Sequence, residues 1–380
     1  MEIRDIIAGT LLQHRVLLIL FLLAFLYQLG MYLFVFLKLP LYRQKKNNSP
    51  TPGISVIICA KNEEKNLERF LPHILQQEYP EFEVVVVNDS SSDETEQLLM
   101  QMAAQHKQLR YTSIPANDNP MRGKKLALTI GLKSAKFDHV VLSDADCYPV
   151  SDHWLKKMAS NFSGDKKIVL GYGRYERRKG LLNKLIRYET CFTAISYFSY
   201  AIKGRPYMGI GRNLAYEKSL FFDNKGFASH YHLQSGDDDL FVNENANGKN
   251  CAVEFSKESH TLSLPELTFK SWLKQKKRHI SAGSHYRTGS RIRLGAELVS
   301  RIILYTTFIW LCISSPWVWH VAALFAFLLL VRMVVFKLGM RRLDEKYLLV
   351  PSLLFDPFLP VILGFIWFSG LFEKKYHSWR

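Results

Sequence analysis

The stretch "VVLSDADCYP", residues 140–149, runs apolar residues straight into Asp144, Ala145 and Asp146 and stops at Pro149. Two carboxylates two positions apart aim at one point if the chain turns between them. Mg2+ or Mn2+ is typically held by one or two carboxylates together with the phosphates of a substrate. Asp144 and Asp146 are therefore candidate metal ligands facing a diphosphate. A DxD pair alone fits a solvated loop as well; the buried strand before it favours chemistry. A second cluster, "GDDDL" (236–240), sets Asp237, Asp238 and Asp239 in a row ahead of an apolar run. Adjacent carboxylates repel one another, which is costly unless a cation or a proton-transfer role retains them. The plainer reading is an exposed acidic loop. In "QKKRH" (275–279), Gln275 and Arg278 stand one helical turn apart and share a face. The guanidinium fork suits phosphate, although a basic helix resting on lipid head groups has the same composition.

These side chains need elements to carry them. "ISVIICA" (54–60) reads as a strand, and the helix that follows has Asn62 as its predicted N-cap. Leu67, Phe70, Leu71, Ile74 and Leu75 keep helical spacing in it. "EVVVV" (83–87) is a second buried strand, "SDETEQLLMQMAAQH" a second helix, and "GKKLALTIGLKSA" a third that leads into "HVVLSDAD". Such alternation implies an α/β fold with a doubly wound, mostly parallel sheet. Right-handed crossovers then collect the strand carboxyl ends at one edge, where ligands bind. That edge gathers Ala60–Glu63, Asn88–Ser92 and Asp144–Asp146. No GxGxxG follows a strand, since "GYGRYE" and "GIGRNL" lack the third glycine, and no GxxxxGK[ST] loop occurs. A nicotinamide dehydrogenase and a P-loop ATPase are thereby disfavoured.

Residues 16–37 carry no charge and are long enough to cross a bilayer core of about 30 Å. Apolar runs return at 298–315, 318–337 and 347–372. The predicted organisation is a transmembrane helix in 1–42, a cytoplasmic catalytic domain in 53–290, and a membrane region of two or three spans in 291–380. The net charge of +16 crowds at membrane edges: Arg43, Lys45 and Lys46; Lys274, Lys276, Lys277 and Arg278; Arg287, Arg291 and Arg293. Anionic lipids and the positive-inside rule account for that placement. No nucleic-acid-binding motif accompanies it. The five cysteines have no CxxC spacing, which fits a reducing compartment and no zinc site. Pro351, Pro357, Pro360 and Asp356 in the last run predict a broken or re-entrant segment, with the carboxyl terminus cytoplasmic.

The ordered blocks "SVIICAKNEEKNLERFL", "EVVVVNDSSSDET", "RGKKLAL", "LSDADC", "GRNLAY", "SGDDDLFV" and "QKKRH" resemble the family 2 glycosyltransferases from about residue 53 to 285. The flanking spans are similar to the membrane-bound, cellulose-synthase-like or lipid-acting branches. The resemblance implies a GT-A-type fold and a nucleoside diphosphate sugar donor, a UDP-sugar first. It implies Asp89 at the uracil and ribose; the usual pair of acids is here Asn88–Asp89, so only the second carries over. It implies Lys124, beside Gly123, and Asp144 at the diphosphate, with Mg2+ or Mn2+ on Asp144 and Asp146. Aligning the glycine and the apolar run makes Asp237 the first acid and Asp238 the general base; a shift of one residue makes Asp237 the base. Gln275 and Arg278 border the donor site, Arg278 stabilising the departing diphosphate. His279 stands where the family has tryptophan, which bears on acceptor stacking and processivity. Arg212 and Asn213 rank low as contacts to acceptor and donor sugar. The implied activity is metal-dependent, inverting transfer to a hydroxyl of a lipid-linked or polysaccharide acceptor, with membrane lipids as partners and no nucleic acid. Two other readings stay open: a nucleotidyltransferase on a similar sheet, and a non-catalytic membrane scaffold.

Overall fold

The computed structural model describes residues 2–44, 51–115, 123–231, 233 and 235–370. The uncharged run 16–37 is helical: α1 (Glu2–Gly30) passes through a π-helical stretch, Met31–Phe36, and on into the short α2 (Lys38–Leu41). Strand–helix alternation follows as β1 (Ile54–Ala60), α3 (Glu64–Leu75), β2 (Phe82–Asp89), α4 (Thr95–Gln105), β3 (Leu109–Ile114), α5 (Lys124–Ser134) and β4 (His139–Asp144). Next come β5 (Cys147–Pro149), α6 (Trp154–Ala159), β6 (Ile168–Leu170), β7 (Gly173–Tyr175), the long α7 (Leu181–Ile202), β8 (Leu214–Glu217) and α8 (Lys218–Asp223). Then follow α9 (Asp239–Asn245), β9 (Cys251–Val253), β10 (Thr261–Ser263) and α10 (Phe269–Gly283). Helices α11 (Thr288–Ser314), α12 (Val318–Arg342) and α13 (Leu349–Gly370) close the described chain.

A seven-stranded sheet runs β3-β2-β1-β4-β8-β6-β9. Its first four strands are parallel, and β8 opposes both of its neighbours. Both faces are covered, which is why the strands read as unbroken apolar runs. Leu67, Leu71 and Ile74 of α3 and Trp154, Leu155 and Met158 of α6 cover one face; Leu128 and Leu132 of α5 and much of α7 cover the other. The register pairs Ala60 with Asn88 and Cys59 with Asp144, so the acidic strand ends lie flush at one edge. Asn62 does not cap α3. It sits at φ 55°, Glu63 takes the N-cap position, and the Asn62 side chain instead accepts the Ser92 N–H at 2.7 Å, tying two edge loops together.

Among the described residues four helices are long and apolar enough to cross a membrane: Leu12–Leu41, Thr288–Ser314, Val318–Arg342 and Leu349–Ile366. The predicted break in the last of them is absent, since α13 is continuous through Pro357 and Pro360. A membrane helix tolerates proline where neighbours satisfy the freed carbonyls, and here the mid-helix acid is also neutralised. Asp356, 1% exposed, faces Arg301 of α11 at 3.4 Å and pairs with Arg332 of α12. It accepts hydroxyl bonds from Tyr188 of α7 (3.1 Å) and Tyr305 of α11 (2.7 Å). Arg301 also pairs with Glu297, so two cations and two anions balance inside the helix cluster. The turn between α12 and α13 docks on the sheet domain: Arg174 bonds Asp344 at 3.1 Å, and buried Arg187 of α7 pairs with Glu345. Lys45, Lys46 and the carboxyl-terminal residues 371–380, whose cytoplasmic side the sequence predicts, lie outside the described residues.

Candidate active site

Strand β4 ends at Asp144, the chain turns at Ala145–Asp146, and β5 begins at Cys147. That turn is what a converging carboxylate pair requires. β5 pairs antiparallel with β10 and β10 runs parallel to β7, making a second, three-stranded sheet. The Cys147 thiol donates to Asp146 at 3.2 Å and lies 2.8 Å from the Ser263 hydroxyl across this small sheet. Ligand atoms of Asp144, Asp146 and Cys147 lie within 4.8 Å of one another. Burial, then the Asp144 charge, push the Asp146 carboxyl up. Burial also keeps Cys147 a neutral thiol, so the donors a hard cation would use are carboxylate oxygens. A half-buried carboxylate pair of this kind fits Mg2+ or Mn2+.

Gly123, at φ 132°, starts α5 and sets Lys124 over the strand ends. The Lys124 ammonium lies 2.9 Å from Asp144 and 3.0 Å from Asp237, bridging the carboxylate turn and the acid row. Burial opposes its charge, but Asp144 and Asp237 outweigh that and hold it protonated.

The acid row is no exposed loop, since Asp237 and Asp239 are 7% and 8% exposed. Asp238 is the N-cap of α9: it accepts the Asp239 N–H at 2.7 Å and, across the cleft, the Gly211 N–H at 2.5 Å. The three carboxyls are driven apart. Against the upward push of burial, Lys124 holds Asp237 below the usual carboxylate range. Burial and the Asp237 charge raise Asp238 to about 6. Burial and Asp238 raise Asp239 to about 8, while its carboxylate accepts the Tyr286 hydroxyl at 2.8 Å.

Helix α10 is capped by Thr268, whose hydroxyl accepts the Ser271 N–H at 3.1 Å. Lys276 on its buried side pairs with Glu189 of α7 at 2.5 Å, and the Tyr175 hydroxyl reaches Gln275 at 3.5 Å. α10 is thus anchored in the domain, beyond what a helix resting on lipid needs. Lys124, Asp144, Asp146, Asp237, Asp238, Gln275 and Arg278 all line one cavity of about 820 Å³. Asp89 does not line it. It is buried at the end of β2, further along the same sheet edge.

Arg212 has a larger place than the sequence suggests. Its guanidinium lies over the Tyr175 ring, 4.3 Å from the centroid, and lines the cavity. Asn213 is a brace: it accepts the Trp154 indole N–H at 3.0 Å and donates to the carbonyls of Tyr172 (3.0 Å) and Ser259 (2.8 Å). Glu189, Tyr207 and Tyr286 line the cavity as well, with no motif to announce them.

The sheet order, the carboxylate-bearing turn after β4 and the acid row across the cleft define a GT-A-type glycosyltransferase fold. The mannosyltransferase PcManGT from Pyrobaculum calidifontis, solved with GDP-Man and Mn2+, shares this architecture at TM-score 0.61 and 17% identity, covering 95% of this chain and 99% of that one. Residues 55–225 match the family model Glycosyl transferase family 2. A poly-beta-1,6-N-acetyl-D-glucosamine synthase of Staphylococcus epidermidis is 29% identical over 143 residues, 37% of this chain and 33% of the relative. The synthase of the same name from Staphylococcus aureus (strain COL) is 30% identical over 135 residues, 35% of this chain and 31% of the relative. The matched stretch therefore spans about a third of the length of these relatives.

Proposed function

We propose that this protein is a metal-dependent, inverting glycosyltransferase of a membrane, transferring sugar from a UDP-sugar to an acceptor hydroxyl. The observation that carries this reading is the meeting of Asp144 and Asp146, Lys124, the Asp237–Asp239 row and Arg278 around one cavity. Asp144 and Asp146 would hold the Mg2+ or Mn2+, which offsets the charge of the donor diphosphate; the Mn2+ and GDP-Man of the Pyrobaculum enzyme support that chemistry. Asp89 holds the base and ribose at the edge of the sheet. Asp238, fixed by two backbone N–H groups, takes the acceptor proton. Lys124 lowers the proton affinity of Asp237, and the base role therefore falls to Asp238, the more basic of the two. In-line attack inverts the anomeric centre. Lys124 and Arg278 stabilise the departing UDP, and Gln275 positions α10 beside it.

The catalytic domain, residues 53–290, is read as cytoplasmic, between a first span in 1–42 and a membrane region in 291–380. Arg43, Arg287, Arg291 and Arg293 at the ends of the spans support that orientation. The test is a panel of radiolabelled sugar nucleotides offered to the purified protein with Mn2+ and membrane lipid. Release of UDP with transfer of the label is expected. Release of pyrophosphate from a nucleoside triphosphate and a sugar phosphate would instead identify a nucleotidyltransferase.

A further inference from the structure

The cavity does not end at the carboxylates. The same cavity is lined by Thr190, Thr193 and Tyr286, which carry neutral hydroxyls, and by the aliphatic residues Ala194 of α7, Leu294 and Leu298 of α11, and Leu363 of α13, with Arg291 of α11 also on its lining. α11 and α13 are two of the four candidate membrane spans. Two glycines join this lining, Gly295 on α11 and Gly364 on α13, and a Cβ built on either meets nothing within 4 Å. The space is therefore open on both helices. Ile292 and Phe365, on the same helices, are 65% and 70% exposed, as lipid-facing residues of a membrane protein are. One cavity thus joins charged, hydroxyl and aliphatic lining, the aliphatic part standing on two candidate membrane helices.

Resting on the glycosyltransferase reading, we infer that the acceptor is a membrane lipid whose head group carries a free hydroxyl, its apolar chain lying along the aliphatic lining from α7, α11 and α13. A saccharide chain along Ala194, Leu294, Gly295, Leu298, Leu363 and Gly364 would bury hydroxyls against carbon, a penalised arrangement. An acyl chain has no such groups. The nucleophile is a hydroxyl because a lipid phosphate is already ionised and would have no use for the proton acceptor at Asp238. In the step, the lipid oxygen bonds to the anomeric carbon as the bond to the diphosphate breaks. The hydroxyl proton passes to Asp238, and UDP leaves with the bonding pair.

The experiment uses the full chain in phosphatidylcholine vesicles doped with dioleoylglycerol and its monoglycosyl derivative, with the sugar nucleotide from which it releases UDP. Label is expected in the organic-soluble product. Gly295→Trp and Gly364→Trp fill the cavity from open positions and are expected to lower that transfer by about tenfold or more, while UDP binds as in the wild type. A photoactivatable dioleoylglycerol is expected to label α11 and α13, less in either variant, and this readout needs no turnover. Label confined to water-soluble saccharide, acceptance of polyprenyl phosphate alone, or photolabelling indifferent to both variants would overturn the inference. Failure to release UDP from any sugar nucleotide, with photolabelling intact, would refute the glycosyltransfer reading and leave the lipid site standing.

Discussion

Replacing Asp356 by leucine should damage this protein more than any catalytic substitution damages its fold. The carboxylate is 1% exposed and meets Arg301, Arg332, Tyr188 and Tyr305 from three different helices. After its removal Arg301 keeps Glu297. Arg332 keeps the Tyr305 hydroxyl at 2.5 Å and the rings of Tyr32 and Tyr305, their centroids 5.7 and 5.9 Å away, none of them an anion. One buried cation is left uncompensated, and breaking a buried ion pair from one side costs about 3–5 kcal/mol. At about 2 °C per kcal/mol for a chain of this size, the apparent melting temperature should fall by roughly 6–10 °C. Asp356→Leu/Arg332→Leu removes the orphaned charge along with the acid, so it should recover more than half of that loss. Thermal unfolding in detergent, followed by loss of the monodisperse peak in gel filtration, measures both variants. A single variant that melts with the wild type, or a double variant no better than the single, would refute the reasoning.

Asp146→Asn should abolish transfer, as should EDTA on the wild type; turnover that persists in EDTA would remove the metal from the site. Asp238→Asn should bind donor normally and transfer roughly 10²–10⁴-fold more slowly, whereas loss of transfer in Asp237→Asn with Asp238→Asn active would move the base by one residue. Because Asp238 must be ionised to accept a proton, the rate should fall as pH drops through about 6 and level off above it. Asp237→Asn removes a like charge and should shift that inflection to lower pH. Lys124→Met removes an opposite charge and should shift it higher. Asp89→Ala should raise the KM for donor with a smaller effect on kcat, which steady-state kinetics would separate.

The alternating half of the domain was legible because its strands are long, β-branched and buried on both faces, as in "ISVIICA" and "EVVVV". The acid turn and the acid row were legible because carboxylates at such spacing are rarely kept without cause. Strands β5, β7 and β10 are three residues each, too short for any periodicity to register. Helix α7 was missed for the opposite reason: it is buried nearly all round, so it shows no polar stripe to mark a helical face. Asn62 looked like a cap, yet its carbonyl oxygen found a better donor thirty positions away in Ser92. The break predicted for α13 came from reading Asp356 and the prolines locally. The neutralising arginines stand on other helices, Arg301 and Arg332, and no local pattern exposes a pairing over that distance.

The small sheet has a consequence for the order in which the enzyme becomes competent. Strand β5, which leaves the carboxylate turn, finds its central partner β10 only after more than a hundred further residues have been made. Helix α10, which carries Gln275 and Arg278, follows β10 directly, and α7 finds Glu345 and Asp356 later still. Emerging from the ribosome, the parallel strands β1 to β4 can pair early, but they form a sheet with half a donor site. On the proposed reading, a partly synthesised chain would not yet hold a complete site for a nucleotide sugar. The order of the chain alone keeps the two carboxylate clusters and Arg278 apart until α10 has been made, and leaves α7 without its Glu345 and Asp356 partners until α13 follows.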